Sequence, residues 1–366
     1  MNNNDNNYAI ILASGPGVKL WPLSTKEKPK QFHDLLGIGK TFIQLTFERL
    51  SKVIKNDNIY IVTIEEYKDI LIEQLPTFKK ENFIIEPRVM NTAACNLLAA
   101  KTINQLNPNA RLIICPSDHF IYNEEEFSEK VNLAFNNLLD DDKLITLGVV
   151  PSRPDTDFSY IQFINDEQEI KKTKSFIDKP SLEFAESFLK TGEFLWNTNI
   201  LICSVKGIIA AFNTYLEGMS ESLKNYFELP EDLQNIKTLA PIYTSLDIFS
   251  INKGILEKSD HVFVIPCNFG WSDIGTWSVI NDKYKYTGED QDNNNNTLLC
   301  SHFAGYNTKN SFIYSTEDKA IVVEGLDDYI VVNSEKGLLI CPRNSVQNIK
   351  TYVGDLKLQK NGEKYC

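Results

Sequence analysis

Short aliphatic and β-branched runs recur through the first half of the chain and alternate with stretches whose apolar residues fall three or four apart. YAIILA, NIYIVT, NFIIEP, RLIICP and KLITLGV have the length and composition of buried strands. Between them, TFIQLTFERLSKV, TAACNLLAAKTINQL and EEEFSEKVNLAFNNLL carry the period of amphipathic helices. Alternation of this kind predicts an α/β fold, a mostly parallel sheet covered by helices on both faces.

The middle of the chain is mixed. FSYIQFI and EIKKTKSFI predict paired strands, SLEFAESFLKTG a helix ending at Gly192, and NILICSV and HVFVIP further strands. GWSDIGTWSVINDKY turns into a helix with Ser272 or Asp273 as its cap. After the polar run GEDQDNNNN the pattern becomes all β: FIYST, KAIVVEG, DYIVVNS and GLLICP are short strands separated by turn residues, with no helix before VQNIKTYVGDL. The expected division is a larger domain over 1–289 and a small β-rich segment, a stack of short strands, over 290–366.

Composition narrows the chemistry. A chain of 366 residues, 42% hydrophobic, buries a real core. Its formal charge of −12 argues against non-specific binding to nucleic acid or to a membrane surface. Positive charge for an anionic ligand must therefore be local, which draws attention to Lys19, Lys26, Lys28 and Lys30. The 7 cysteines show no CxxC pair and several sit in apolar runs, as small buried hydrophobes do. The start, MNNNDNNY, has no apolar signal core, and no stretch reaches membrane-spanning length; the chain reads as cytoplasmic.

Ligands of parallel α/β sheets bind where strands end and loops begin. The loop after YAIILA carries Gly15 and Gly17, which allow a tight turn with backbone N–H groups facing phosphate oxygens. Asp118 in CPSDH and Asp273 in FGWSDIGTW are carboxylates at strand ends, the donors a hard cation takes beside substrate phosphates. Lys179 in FIDKP follows a strand, and Trp196 and Asn197 in FLWNTN offer a flat face and an amide. Taken singly, each has an ordinary explanation: a turn glycine, a capping aspartate, a surface lysine, a core tryptophan. Their combination is harder to dismiss.

With these residues in place, the sequence resembles the sugar nucleotidyltransferases, and most closely the mannose-1-phosphate guanylyltransferase (GDP-mannose pyrophosphorylase) family. LWPLS, KPKQF, EP with NTA, PSDH, DKP, LWN, EKS and FGWSDIGTW occur in that family's order from about residue 8 to 366. The resemblance implies a Rossmann-like nucleotidyltransferase fold and transfer of GMP from GTP to α-D-mannose 1-phosphate, with GDP-mannose and pyrophosphate as products and Mg²⁺ as cofactor. It implies Asp118 and Asp273 as metal ligands and Lys19, Lys30, Asp118 and Asp273 as catalytic residues. Leu12, Ala13, Gly15, Gly17, Lys30, Glu86, Asn91, Thr92, Ser117 and Asp118 would line the nucleotide. Lys179, Trp196, Asn197 and Asp273 would face the sugar phosphate. The β segment would pack on the catalytic domain or mediate self-association into a homo-oligomer.

The chain departs from the family pattern at several of these places. Ser14 stands for a glycine, Lys19 for an arginine and Met90 for another arginine. Ala94 replaces a proline, Ser159 and Asn199 replace glycines, and Asn252 replaces an aspartate. Lysine keeps arginine's charge without its bidentate fork. A second reading therefore stays open: a weakly active or inactive paralogue that binds nucleotide or sugar nucleotide and regulates a partner enzyme.

Overall fold

The computed structural model describes residues 3–138, 142–287 and 290–366. The chain forms two compact units: Met1–Ser14 with Gln44–Ser272, and Gly15–Ile43 with Asp273–Cys366. The boundary expected at 289/290 falls beside Gly288 and Glu289, which lie outside the described residues. The second unit reaches well past it. It takes in the opening loop because that loop's hydrogen bonds run to the C-terminal part of the chain: Trp277 Nε1 donates to Trp21 O at 3.0 Å, and Ser334 Oγ donates to Pro22 O at 2.9 Å.

In the first unit the strands are β1 (Asn7–Leu12), β2 (Ile59–Thr63), β3 (Phe83–Ile85), β4 (Arg111–Pro116), β5 (Phe120–Ile121), β6 (Leu144–Val149), β7 (Ser159–Phe163), β8 (Lys171–Asp178), β9 (Phe194–Ser204), β10 (Val262–Cys267) and β11 (Trp271–Ser272). Among the described residues nine of them form one sheet in the order β3-β2-β1-β4-β9-β6-β10-β8-β7, while β5 and β11 make a small antiparallel pair. β1, β2, β3, β4, β6, β7 and β10 share one direction, and β8 and β9 run against it. The sheet is thus mostly parallel in direction, but β9 is inserted antiparallel between β4 and β6. Registers Leu12↔Val62 and Leu12↔Pro116 align the C-terminal ends of β1, β2 and β4.

The helices of this unit are α1 (Phe42–Ser51, which begins in the second unit), α2 (Lys68–Gln74), α3 (Thr92–Leu106), α4 (Glu124–Asn136), α5 (Leu182–Thr191), α6 (Val205–Tyr215), α7 (Glu217–Phe227) and α8 (Ile236–Thr244). Their ends follow local rules: Asn91, Ser181 and Ser204 cap α3, α5 and α6 through side-chain acceptors, and Gly192 ends α5 with a left-handed φ of 68°. α3 and α6 bury Leu97, Ile103, Ile208 and Phe212 in one cluster with Ile10, Val62 and Ile114 of the sheet. Each such side chain contributes about 1.5–3 kcal/mol.

The second unit holds α9 (Trp277–Thr287), β12 (Thr297–Leu299), β13 (His302–Tyr306), β14 (Phe312–Ser315), β15 (Ala320–Glu324), β16 (Tyr329–Ser334), β17 (Gly337–Pro342) and α10 (Ile349–Lys357). β12, β14 and β16 stack in parallel through Thr297↔Phe312 and Phe312↔Ile330, and β13 and β15 form a second parallel ladder. β17 closes the first stack antiparallel. The helix expected to be capped by Ser272 or Asp273 starts later, at Trp277. Ser272 belongs to β11, and the Asp273 carboxylate instead accepts from Gly275 N at 3.1 Å, closing a turn two residues long. The cysteines stand as free thiols, all buried except the half-buried Cys300. Among the described residues no helix is long and apolar enough to cross a membrane.

Candidate active site

In the second unit the opening loop is held from several sides. Gln31 Nε2 donates to Gly15 O at 3.1 Å, and Ser24 Oγ donates to Pro16 O at 3.1 Å. Gly17 has a left-handed φ of 58°, and a Cβ there would sit 2.8 Å from Lys30 Cγ and from Ser24 Oγ. At Gly15, none of the described residues lies within 4 Å of such a position. Of the two glycines, only Gly17 is demanded by conformation and close approach. The lysine cluster divides: Lys26 and Lys28 are exposed, whereas Lys19 and Lys30 are half-buried and bonded. Lys19 Nζ donates to Gln347 Oε1 at 3.0 Å, and Lys30 Nζ donates to the Asp273 carbonyl at 3.0 Å. Asp273 is followed by Ile274 at φ 43°, a conformation a β-branched residue adopts only when its surroundings impose it. The isoleucine side chain is buried.

In the first unit, Ser117 N donates to Leu12 O at 3.1 Å, which ties the β4 end to the β1 end, and Ala13 N donates to Val62 O at 2.8 Å. Asp118 follows with its side chain 23% exposed, its Oδ1 3.9 Å from His119 Nε2. Trp271 Nε1 donates to His119 Nδ1 at 3.2 Å; since indole only donates, the imidazole proton lies on Nε2, the nitrogen facing Asp118. Glu86 is buried and accepts from Tyr243 Oη at 2.6 Å, from the Ser14 hydroxyl and from Met90 N–H. Burial pushes its carboxyl above the usual range, and these three donors oppose that shift. Glu65, Glu66, Glu86, Pro87 and Ile236 line a cavity of about 400 Å³ beside it. Asn91 caps α3, and Thr92 Oγ1 accepts from Ile251 N at 2.9 Å.

Trp196 and Asn197 lie inside β9 rather than at its end, 3% and 2% exposed. Trp196 packs edge-on against Phe158 with ring centroids 5.1 Å apart, under the Arg153 guanidinium at 5.2 Å. Asn197 Nδ2 donates to Asn199 Oδ1 at 3.2 Å and to Asn252 Oδ1 at 3.3 Å. Lys179 directly follows β8 and is exposed, with φ 48°.

Residues 8–288 match the family described as Nucleotidyl transferase, and residues 304–356 match the MannoseP isomerase/GMP-like beta-helix domain. The mannose-1-phosphate guanylyltransferase of Salmonella montevideo is 31% identical over 363 residues, 97% of this chain and 74% of that protein. The chain belongs to the mannose-1-phosphate guanylyltransferase family. The Escherichia coli mannose-1-phosphate guanylyltransferase is 29% identical over 367 residues, 97% of this chain and 76% of that protein. A crystal structure described as mannose-1-phosphate geranyltransferase from Thermus thermophilus superposes with a TM-score of 0.82 at 24% identity. It covers 96% of this chain and 99% of that one, a likeness of fold.

Against the guanylyltransferase pattern, the departures are built into the structure. Ser14 has no positive φ, and its hydroxyl serves Glu86. Ser159 Oγ donates to Asp178 Oδ1 at 2.8 Å. Asn199 adopts φ 55°, the left-handed region that asparagine tolerates best after glycine, and its side-chain carbonyl accepts from Asn252 Nδ2 at 2.9 Å. Met90 and Ala94 pack in the apolar cluster around α3, Met90 only 8% exposed. Arginine restored at position 90 would put a guanidinium among apolar side chains. Met90→Arg is expected to lower stability by about 1–3 kcal/mol without raising activity, read by denaturant melts and initial rates. The links Glu86–Tyr243, Asn199–Asn252, Ser159–Asp178 and Lys19–Gln347 escape sequence reasoning because their partners lie far apart in the chain.

Proposed function

We propose that this protein transfers GMP from GTP to α-D-mannose 1-phosphate and releases GDP-mannose and pyrophosphate. A phosphate oxygen of the sugar phosphate attacks the α-phosphorus in line. The bond from that phosphorus to the bridging oxygen of the leaving pyrophosphate breaks, and no covalent enzyme intermediate forms. The observation that supports this reading best is the hydrogen bond from Lys30 Nζ to the Asp273 carbonyl. It fixes the ammonium and the carboxylate-bearing residue against one another within one unit, and phosphoryl chemistry depends on such positioning and charge neutralisation.

Lys30 is assigned to the nucleotide phosphates and Lys179 to the sugar phosphate; Gly15 is assigned to the nucleotide through its open backbone and Gly17 through the turn that packs against Lys30, with Glu86, Asn91 and Thr92 on the nucleotide side. Asp118 and Asp273 are the residues proposed to hold Mg²⁺. Among the described residues no group of three or more His, Cys, Asp or Glu stands ready to hold a metal ion alone. Single carboxylates fit Mg²⁺, which takes one or two of them and completes its shell with substrate phosphates and water. When bound, it would neutralise charge on the phosphate oxygens.

Purified protein given mannose 1-phosphate, Mg²⁺ and each nucleoside triphosphate in turn is expected to release pyrophosphate fastest with GTP. Absence of release with every nucleotide overturns the reading, and binding of GTP or GDP-mannose in a parallel titration would then support the regulatory paralogue.

A further inference from the structure

The amide cluster around β9 distributes its hydrogen bonds unevenly. Asn197 is complete: its Oδ1 accepts from Thr146 Oγ1 at 3.2 Å and from Asn199 N at 3.0 Å, and its Nδ2 donates to Asn199 and to Asn252. Buried and saturated, it has no hydrogen left to offer a ligand. Asn199 is the opposite case. Both acceptor positions of its Oδ1 are occupied, by Asn197 Nδ2 and Asn252 Nδ2, which orients the side chain and leaves Nδ2 pointing away from both. That Nδ2 has no partner among the described residues, and Asn199 is exposed where every flanking residue of β9 is buried.

The surroundings carry charge of both signs, with Asp178 and Glu257 among Lys253 and Lys258. Asn252 is followed by Lys253, whose Nζ lies 3.2 Å from Asp178 Oδ2, and Asp178 is followed by Lys179. The Asp178 carboxylate is engaged by Lys253 and by the Ser159 hydroxyl, whereas the exposed Lys179 ammonium has no partner among the described residues. Two N–H donors with no acceptor among the described residues, oriented by their own network, suit a ligand rich in oxygen acceptors.

We propose that Asn199 is a specificity-determining residue for the sugar phosphate, its outward Nδ2 donating to a ligand oxygen, while Asn197 and Asn252 act as positioning residues that hold it. This rests on the guanylyltransferase reading above. Asn252 has the Nδ2 hydrogen that orients Asn199, and an aspartate there would have none.

Asn199→Gly is the decisive variant, because glycine adopts φ 55° without strain and removes only the amide. It is expected to raise the KM for mannose 1-phosphate about tenfold with the KM for GTP unchanged. Asn199→Asp keeps the size, replaces the donors by a negative charge, and is expected to raise it about a hundredfold. Equal KM values for mannose 1-phosphate in wild type and Asn199→Gly would show a purely structural side chain and overturn the inference. Should wild type give no turnover with any nucleotide, the functional reading fails separately. Calorimetric titration of mannose 1-phosphate and of inorganic phosphate into both proteins then decides the role of Asn199: weaker binding by Asn199→Gly supports it, and equal or absent binding overturns it.

Discussion

Asp273→Asn is expected to reduce turnover about a thousandfold while leaving the thermal melting curve nearly unchanged. The substitution exchanges one oxygen for an amide nitrogen at constant shape. Its remaining Oδ1 can still accept from Gly275 N, and the backbone carbonyl that receives the Lys30 ammonium is untouched. What is removed is the negative charge, and with it the hard oxygen ligand proposed for Mg²⁺. Asp118→Asn should behave alike, since that side chain is partly exposed and its position is fixed by the backbone tie between Ser117 and Leu12. Steady-state pyrophosphate release and melting temperature, measured on both variants, separate the chemical role from a structural one. Turnover near that of wild type in either variant, with an intact fold, would remove that carboxylate from the mechanism.

The second large effect is expected within the opening loop, and it differs sharply between two glycines. Gly17→Ala places a Cβ against Lys30 Cγ and Ser24 Oγ, each at 2.8 Å, and forces alanine into a left-handed φ of 58°. The conformational cost alone is about 1–2 kcal/mol, and the clash adds to it by displacing Lys30. A shift of about an ångström in a positioned group lowers turnover by roughly a hundredfold. Gly15→Ala meets no atom of the described residues within 4 Å and requires no positive φ, so stability should stay within about 0.5 kcal/mol. Denaturant melts and initial rates on the pair test this; equal behaviour of the two variants would mean that Gly17 does not set the position of Lys30.

Much of the fold is legible along the chain, and the reason is local. The alternation of strand and helix, the stop at Gly192 and the stack of short C-terminal strands each follow from a few adjacent residues obeying backbone geometry. The helix start after FGW misleads because Asp273 looks like a cap. Its carboxylate closes an immediate turn onto Gly275 instead, a competing local bond that composition does not distinguish.

The family and the identities of Lys30, Asp118, Asp273 and Lys179 as candidate residues were determined by the sequence alone, through the order of its motifs. Whether the departures weaken the site was a question only tertiary structure could address. Asn197 and Asn252 are 55 positions apart, Glu86 and Tyr243 157, and Lys19 and Gln347 328. Hydrogen bonds across such distances depend on sheet register and on how distant segments pack, neither of which leaves a periodic trace in the chain. Along the sequence, Ser14, Ser159, Asn199 and Asn252 are four separate losses. In the folded protein each has a hydrogen-bond partner, because burial and strand order bring to each new polar group a donor or acceptor that can satisfy it.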